Sequence, residues 1–211
     1  MPRNHRSGRD NAVQNAAGAA ASRGRNELRV IGGHWRGRKL RFPAAEGLRP
    51  TPDRVRETLF NWLMPVIRDA RCLDLFAGSG ALGIEALSRG AAEVVFVERA
   101  PAVARHLRET LALLCAEGGS VVQGEAAAFL EGPAEPFDVV FLDPPFAEDP
   151  LPGVLRRLVA GGWLAPDARV YVEQPAARGA PDWPAPLVAH RSGRAGEVGY
   201  HLGVMPAGSE A

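Results

Sequence analysis

Asp143-Pro144-Pro145-Phe146 follows the apolar run Phe137-Asp138-Val139-Val140-Phe141-Leu142 directly, and its residue types could do chemistry. Two consecutive prolines cannot continue a strand ladder, so the chain must leave a sheet at this point. Open α/β sheets hold their ligands just past the carboxyl ends of their strands. A carboxylate, rigid backbone carbonyls and an aromatic ring placed there can accept hydrogen bonds from an exocyclic NH2 while the ring stacks on the base carrying it. Taken alone, the tetrapeptide also reads as punctuation between a strand and a helix, which uses the same residues.

A second set is Asp74-Leu75-Phe76-Ala77-Gly78-Ser79-Gly80-Ala81-Leu82-Gly83. Gly78-x-Gly80-x-x-Gly83 matches the dinucleotide fingerprint, with Glu98 about twenty residues on. Such glycines allow a tight turn and close approach of a nucleoside, and the following helix N-terminus favours an anionic group. A carboxylate ending the next strand can accept both ribose hydroxyls. A nicotinamide dinucleotide remains open on this pattern alone. Asp74 separates the two, because an acid at the strand end faces a pyrophosphate badly. It suits the α-amino or sulfonium region of S-adenosylmethionine. Glu125 or its neighbour Ala126, after a third strand, is placed to read an adenine edge. The candidate cofactor residues are therefore Asp74, Phe76, Gly78, Gly80, Glu98, Glu125 and Ala126, and no metal is called for.

These residues need a scaffold. Strands are expected near residues 71–76, 93–98, 120–123, 137–142 and 168–173, with helices near 80–89, 101–116 and 150–160. Alternating β and α units imply a parallel sheet with helices on both faces. Leu187 to His190 and Val198 to Val204 read as two further strands, joined by Gly-rich Ser192 to Gly196 and closing one edge as an antiparallel hairpin. Ahead of the sheet, Thr51-Pro52-Asp53 reads as a helix start with a hydroxyl cap, the helix running to about Met64. Val55, Leu59, Trp62 and Leu63 recur on its core face. Phe129 and Leu130 read as core. Residues 28–31 and 35–42 read as a β-hairpin turning at Gly32-Gly33 and carrying Arg36, Arg38, Lys39 and Arg41. It could hold RNA phosphates with Trp35 and Phe42 stacking, or it could be a cap whose aromatics pack on the body. Residues 1–26 read as a disordered tail and 206–211 as a frayed end.

The chain has 211 residues and a net charge of +1, unevenly divided. Residues 1–56 hold 13 Arg/Lys against four Asp/Glu, and residues 57–211 hold 12 against 20. This predicts a polyanion-facing arm on a mildly acidic body. No apolar run reaches the roughly 20 residues of a membrane helix, and the start lacks the apolar core of a secretory signal, so the expected compartment is the cytoplasm. Cys72 and Cys115 are expected to be buried thiols.

With these residues on the page, the chain resembles a class I S-adenosylmethionine-dependent methyltransferase of the amino-methylating kind. More narrowly it resembles the RsmD family of bacterial 16S rRNA guanine-N2 methyltransferases. The resemblance rests on Arg29 to Leu40, on Gly47 to Leu63, on the glycine loop, on Asp143 to Phe146, and on Tyr171-Val172-Glu173. It implies a Rossmann-like fold of seven mostly parallel strands with a reversed last strand, plus a small N-terminal β-hairpin. It divides the chain into an extension over 27–50 and a methyltransferase domain over 51–205. It also implies a monomer acting on 16S rRNA in an assembling small ribosomal subunit. Asp143, Pro144, Pro145 and Phe146 would be catalytic, S-adenosylmethionine the methyl donor, and Arg36, Arg38, Lys39 and Arg41 the RNA contacts. Family members usually carry Asp or Asn where Glu125 stands. Arg49, Asp53 and Arg54 would line the mouth of the site or simply cap a helix; Arg191, Arg194 and Tyr200 read more safely as a polar hairpin. Rival readings are a DNA adenine-N6 or cytosine-N4 methyltransferase, a non-catalytic RNA-binding assembly factor and, third, a nicotinamide-dependent oxidoreductase.

Overall fold

A computed structural model of the chain describes residues 27–43, 51–146 and 149–207. The expected tail, residues 47–50 of the second family block, Arg49 included, and 208–211 of the expected frayed end lie outside them. A two-stranded hairpin, β1 (Glu27–Arg29) and β2 (Lys39–Arg41), leads into α1 (Asp53–Leu63). Then follow β3 (Arg71–Asp74), α2 (Ala81–Ser88), β4 (Glu93–Glu98), α3 (Pro101–Leu114), β5 (Gly119–Gln123) and the single turn α4 (Ala126–Phe129). The second half holds β6 (Phe137–Leu142), α5 (Leu151–Ala160), β7 (Leu164–Pro175), a 3-10 turn (Ala176–Arg178), β8 (Val188–Ala195) and β9 (Val198–Val204).

Seven strands form one sheet in the order β5-β4-β3-β6-β7-β9-β8. The pairs from β5 to β7 are parallel, and β9 alone runs against its neighbours β7 and β8. From β3 the chain winds outward through β4 and β5, then returns to lay β6 on the other side. The order therefore reverses between β3 and β6, where doubly wound sheets open a crevice at their carboxyl ends. Asp74 ends β3 there and Asp143 follows β6.

Strand alternation sends successive side chains to two cores. Cys72, Phe96, Val139, Phe141 and Tyr171 pack with Val55, Leu59, Phe60 and Leu63 of α1 and with Ile84, Leu107 and Leu111 of α2 and α3. Leu73, Val95, Val140, Leu142, Val170 and Val172 pack with Leu155 and Leu158 of α5 and with Trp163 on the other face. Each such side chain contributes about 1.5–3 kcal/mol on full burial. Truncating Phe141, at 0% exposure, would cost about 3–5 kcal/mol.

The N-terminal hairpin is shorter than the sequence suggests. Residues 31–35 spend their backbone groups on α2 instead of on a strand partner. Ile31 and Gly32 N–H donate to Glu85 at 2.8 Å, His34 N–H to the Ser88 carbonyl at 2.6 Å, and Trp35 N–H to Ser88 Oγ at 3.0 Å. Gly33 (φ 74°) lies so close that a Cβ would sit 1.7 Å from the Ser88 carbonyl oxygen. Leu28, Val30, Leu40 and Phe42 join the first core, with Trp35 half-buried against it. Phe42 is therefore not available for stacking on a base.

Four further expectations are corrected. Thr51 does not cap α1: Pro52 occupies the N-cap, and no side chain bonds there. Ser192 to Ala195 are not a loop but the end of β8, the turn being Gly196-Glu197; Gly193 is required because a Cβ would strike the Tyr200 ring at 2.3 Å. Cys72 is buried, but Cys115 is exposed, in the left-handed C-cap of α3. Leu130 is buried, whereas Phe129 is half-buried with its ring 5.1 Å from that of Trp163.

Candidate functional site

The crevice at the reversal of strand order is a cleft of about 1100 Å³. The expected cofactor residues Asp74, Phe76, Gly78, Glu98, Glu125 and Ala126 line it, as do Asp143, Pro144, Pro145 and Phe146. Gly80 does not line it. With φ 77° it N-caps α2, and a Cβ there would meet Leu107 at 2.6 Å and Ile84 at 2.9 Å, so its task is to turn the chain under the helix. Gly83 packs against Phe96, where a Cβ would come within 2.2 Å of the ring. Only the first glycine of the fingerprint faces the ligand space.

Each strand-end acid is held by specific donors. Asp74, 2% exposed, accepts the Gly83 N–H at 3.0 Å. Burial pushes its carboxyl up to about 7; Gly83 opposes this and Glu98 adds to it. Glu98 accepts the N–H of Gly78 at 2.9 Å through one oxygen and that of Ala100 at 2.7 Å through the other. It thereby shapes the glycine loop, and each oxygen keeps one lone pair for a hydroxyl donor. Glu125 is exposed at the rim, at the N-terminus of α4.

Asp143 receives the Thr51 hydroxyl at 3.4 Å. Its carboxyl stands well above the usual range because of burial first, then Glu173 and Asp74, with Thr51 opposing. Glu173, 3% exposed on β7, accepts the Tyr171 hydroxyl at 2.9 Å and is also pushed up by burial. The residue reading left Thr51 and Glu173 out of the site. Glu173 did carry a signal: it is one more acid closing an apolar strand, as Asp74, Glu98 and Asp143 do. Thr51 carried none beyond its helix-start pattern.

Phe146 is exposed beside Asp143. Arg194, near the end of β8, and Glu197, in the β8–β9 turn, complete the far wall. Tyr200 is buried, its ring 5.5 Å from that of Trp62, and Arg191 is exposed on the edge strand. Asp53 pairs with Arg29 at 3.0 Å and with Arg56 at 2.6 Å, while Arg54 is exposed. Arg36, Arg38, Lys39 and Arg41 are exposed on the hairpin, outside the cleft lining, and Lys39 pairs with Glu27 at 2.9 Å. The cleft's acids suit a cationic ligand and oppose a pyrophosphate. Among the described residues no group of three or more His, Cys, Asp or Glu could hold a metal ion, and no helix is long and apolar enough to cross a membrane.

Known proteins give the same direction. Residues 28–204 match the family model described as Conserved hypothetical protein 95. The ribosomal RNA small subunit methyltransferase D of Escherichia coli strain K12 is 51% identical over 179 residues, 85% of this chain and 90% of that protein. Its Haemophilus influenzae namesake is 50% identical over 153 residues, 71% of this chain and 79% of that one. The solved structure of the putative methyltransferase yhhF from Escherichia coli superposes with a TM-score of 0.81 at 49% identity, covering 86% of this chain and 99% of that one. A putative O-methyltransferase from Klebsiella pneumoniae shares the fold alone, with a TM-score of 0.60 at 19% identity over 79% of this chain and 84% of that one. With a match that runs from β1 to β9 and half the residues identical to those relatives, the chain belongs to the Conserved hypothetical protein 95 family, the RsmD family of methyltransferases.

Proposed function

We propose that the protein is a ribosomal RNA methyltransferase that moves a methyl group from S-adenosylmethionine to the exocyclic N2 of one guanine in 16S rRNA of the small subunit. The observation that carries this reading is the placement of Asp143-Pro144-Pro145-Phe146 across the strand reversal from Asp74, in one cleft with Glu98 and Gly78. The donor set fits the cofactor: a buried carboxylate for its ammonium group, and Glu98, with lone pairs left over from the loop, for its ribose. When bound, that cofactor supplies a methyl group on a sulfonium, ready for in-line displacement.

The chain's own residues then position the amino group. N2 of guanine is a weak nucleophile because its lone pair is delocalised into the ring. Asp143 and the Pro144 carbonyl accept the two N2 hydrogens, favour a pyramidal nitrogen and stabilise the positive charge that develops. Phe146, exposed at the lip, stacks on the base once it is splayed from its neighbours. Arg36, Arg38, Lys39 and Arg41 hold RNA phosphates outside the cleft. The names of the relatives support RNA as substrate, and the tetrapeptide supports an NH2 target.

The test offers radiolabelled S-adenosylmethionine with deproteinised rRNA, small-subunit particles and DNA, followed by nucleoside identification. N2-methylguanosine from rRNA or particles is expected. Label confined to DNA, or to another nucleoside, refutes the assignment. Asp143→Ala is expected to lower turnover about 10²-fold or more while binding the cofactor as before.

A further inference from the structure

We propose that Arg194 determines which base is taken: from the end of β8 its two Nη groups donate to O6 and N7 of the guanine whose N2 amino group Asp143 holds. The inference deepens the function proposed above and rests on it for the position of the base.

Strand register puts Arg194 and the tetrapeptide on opposite sides of one opening. Leu142 of β6 pairs with Val172 of β7, Gln174 of β7 with Gly199 of β9, and Gly199 with Arg194 of β8. Arg194 and Gln174 therefore share a row across the sheet, two residues beyond Leu142, at the level where Pro144 follows β6. β8 runs parallel to β6, so both strands end on the same side of the sheet, and Arg194 and the tetrapeptide line the same cleft. Three strand spacings of about 4.8 Å separate their backbones, about 14 Å in all. An extended arginine from one side, and a short carboxylate with a purine bound to it from the other, fill that width.

The wall that carries Arg194 is held in place. Arg194 Nε donates to the Gly196 carbonyl at 2.8 Å, and the Ala176 N–H donates to the Glu197 carbonyl at 2.7 Å, which ties the β8–β9 turn to the 3-10 turn after β7. With Nε spent on its own turn, Nη1 and Nη2 remain, and among the described residues this guanidinium forms no ion pair. The other cation of the lining, Arg99, follows Glu98 on the cofactor side. Asp143 and Glu197 line the same half of the cleft as Arg194, so a phosphate seated there would meet two carboxylates, whereas a neutral base would not. A guanine held by N2 turns two acceptors, O6 and N7, toward the far wall side by side, the pattern that a guanidinium reads bidentately. An adenine held by N6 keeps N7 beside that amino group, and a cytosine has no second ring to span the gap. Arg194 thus supplies the choice of base that the tetrapeptide, which asks only for an NH2 group, leaves open.

The experiment first maps the N2-methylguanosine that the wild type makes in rRNA or small-subunit particles. That substrate is then rebuilt with either guanine or 7-deazaguanine at the mapped position alone. The second base has C–H in place of N7 and keeps N2 and O6. Single-turnover methylation of both substrates is measured for the wild type and Arg194→Ala. The wild type is expected to lose about fivefold or more on 7-deazaguanine. Arg194→Ala is expected to be slower on guanine by at least as much, and no slower again on 7-deazaguanine, because the two changes remove one interaction. Its rRNA affinity should keep the wild-type salt slope, since a base contact releases no counterion. Equal losses in the two proteins on 7-deazaguanine, or no loss in the wild type, overturn the proposal. So does a slope flattened by about 0.7–0.9, which would make Arg194 a phosphate contact. Where the alanine variant does not fold, Arg194→Met, with an unbranched stem and no donor, takes its place with the same expected outcomes. A wild type that makes no N2-methylguanosine sinks the proposed function and this inference with it. A mapped guanine with uncoupled losses sinks the inference alone.

Discussion

Asp74 accepts the Gly83 N–H in a site closed to solvent, and burial pushes its carboxyl up to about 7, against about 3.9 in an unfolded chain. The folded state therefore binds a proton that the unfolded state has released between those two values. Its contribution to stability falls as pH rises from about 4 to 7 and stays low above that. A cationic ammonium group reverses this by favouring the ionised form. Asp74→Asn is expected to raise the stability of ligand-free protein at about pH 8 by on the order of 2–4 kcal/mol. Below about pH 5 the gain should fade, because the wild-type side chain is then neutral too. The same variant is expected to bind S-adenosylmethionine at least tenfold more weakly, about 1.4 kcal/mol. Urea unfolding at the two pH values and isothermal titration check both halves. Equal stability gains at both pH values would exclude a titrating Asp74 as the cause. Asp74, Glu98 and Asp143 were legible in the sequence because each closes an apolar strand with a charge that no core would accept. Gly80 was misjudged because a letter pattern cannot tell a glycine that turns the chain from one that faces a ligand.

At the scale of elements, α2 and the segment before α1 form one unit around Arg56. This guanidinium is 1% exposed and donates to Asp53 at 2.6 Å, Glu85 at 3.4 Å, the Thr51 carbonyl at 3.1 Å and the Arg29 carbonyl at 2.9 Å. Glu85, itself buried, receives Ile31, Gly32 and Arg89 as well. Removing Arg56 would leave Glu85 with Arg89 as its remaining ion-pair partner and would leave the Thr51 and Arg29 carbonyls without this donor. Arg56→Ala is expected to cost at least about 1–3 kcal/mol in urea unfolding, the cost of a buried acceptor left unsatisfied. Faster hydrogen exchange should appear at Ile31, Gly32, His34 and Trp35, whose amides α2 now holds. Exchange unchanged at those four amides would show that the segment docks by its apolar side chains alone. This unit explains the uneven legibility of the elements. The parallel strands were readable because their apolar runs are local, whereas Thr51 and residues 31–35 bond partners 53 to 92 positions away. Without those partners Thr51-Pro52-Asp53 looks like a helix cap, and Gly32-Gly33 like a hairpin turn. β8 was misread for the same reason: Gly193 answers to Tyr200 on the next strand, and a glycine run looks like a loop until that ring is in place.

The whole molecule separates its charges by task. Acids collect in the cleft, where a cation is wanted, and the first 56 residues hold 13 of the 25 basic residues. Arg36, Arg38 and Arg41 project from a hairpin that is anchored by its apolar side and by α2, so the guanidinium groups stand on a rigid base. None of the three forms an ion pair among the described residues, whereas Lys39 is engaged by Glu27. A polyanion gains most from charges that need not first break a bond. Each phosphate contact made by such a charge contributes about 0.7–0.9 to the slope of log affinity against log salt. Replacing Arg36, Arg38 and Arg41 together by alanine is expected to flatten that slope by about 2–3 for 16S rRNA between about 50 and 200 mM salt. Replacing Lys39 alone should change it less than any one of the arginines, since Glu27 already competes for that charge. Thermal stability and S-adenosylmethionine affinity should stay at wild-type values, because all three side chains are exposed and outside the cleft lining. A slope unchanged in the triple variant would place the RNA backbone elsewhere, with exposed Arg191 on the edge strand and Arg194 at the cleft wall the next residues to replace.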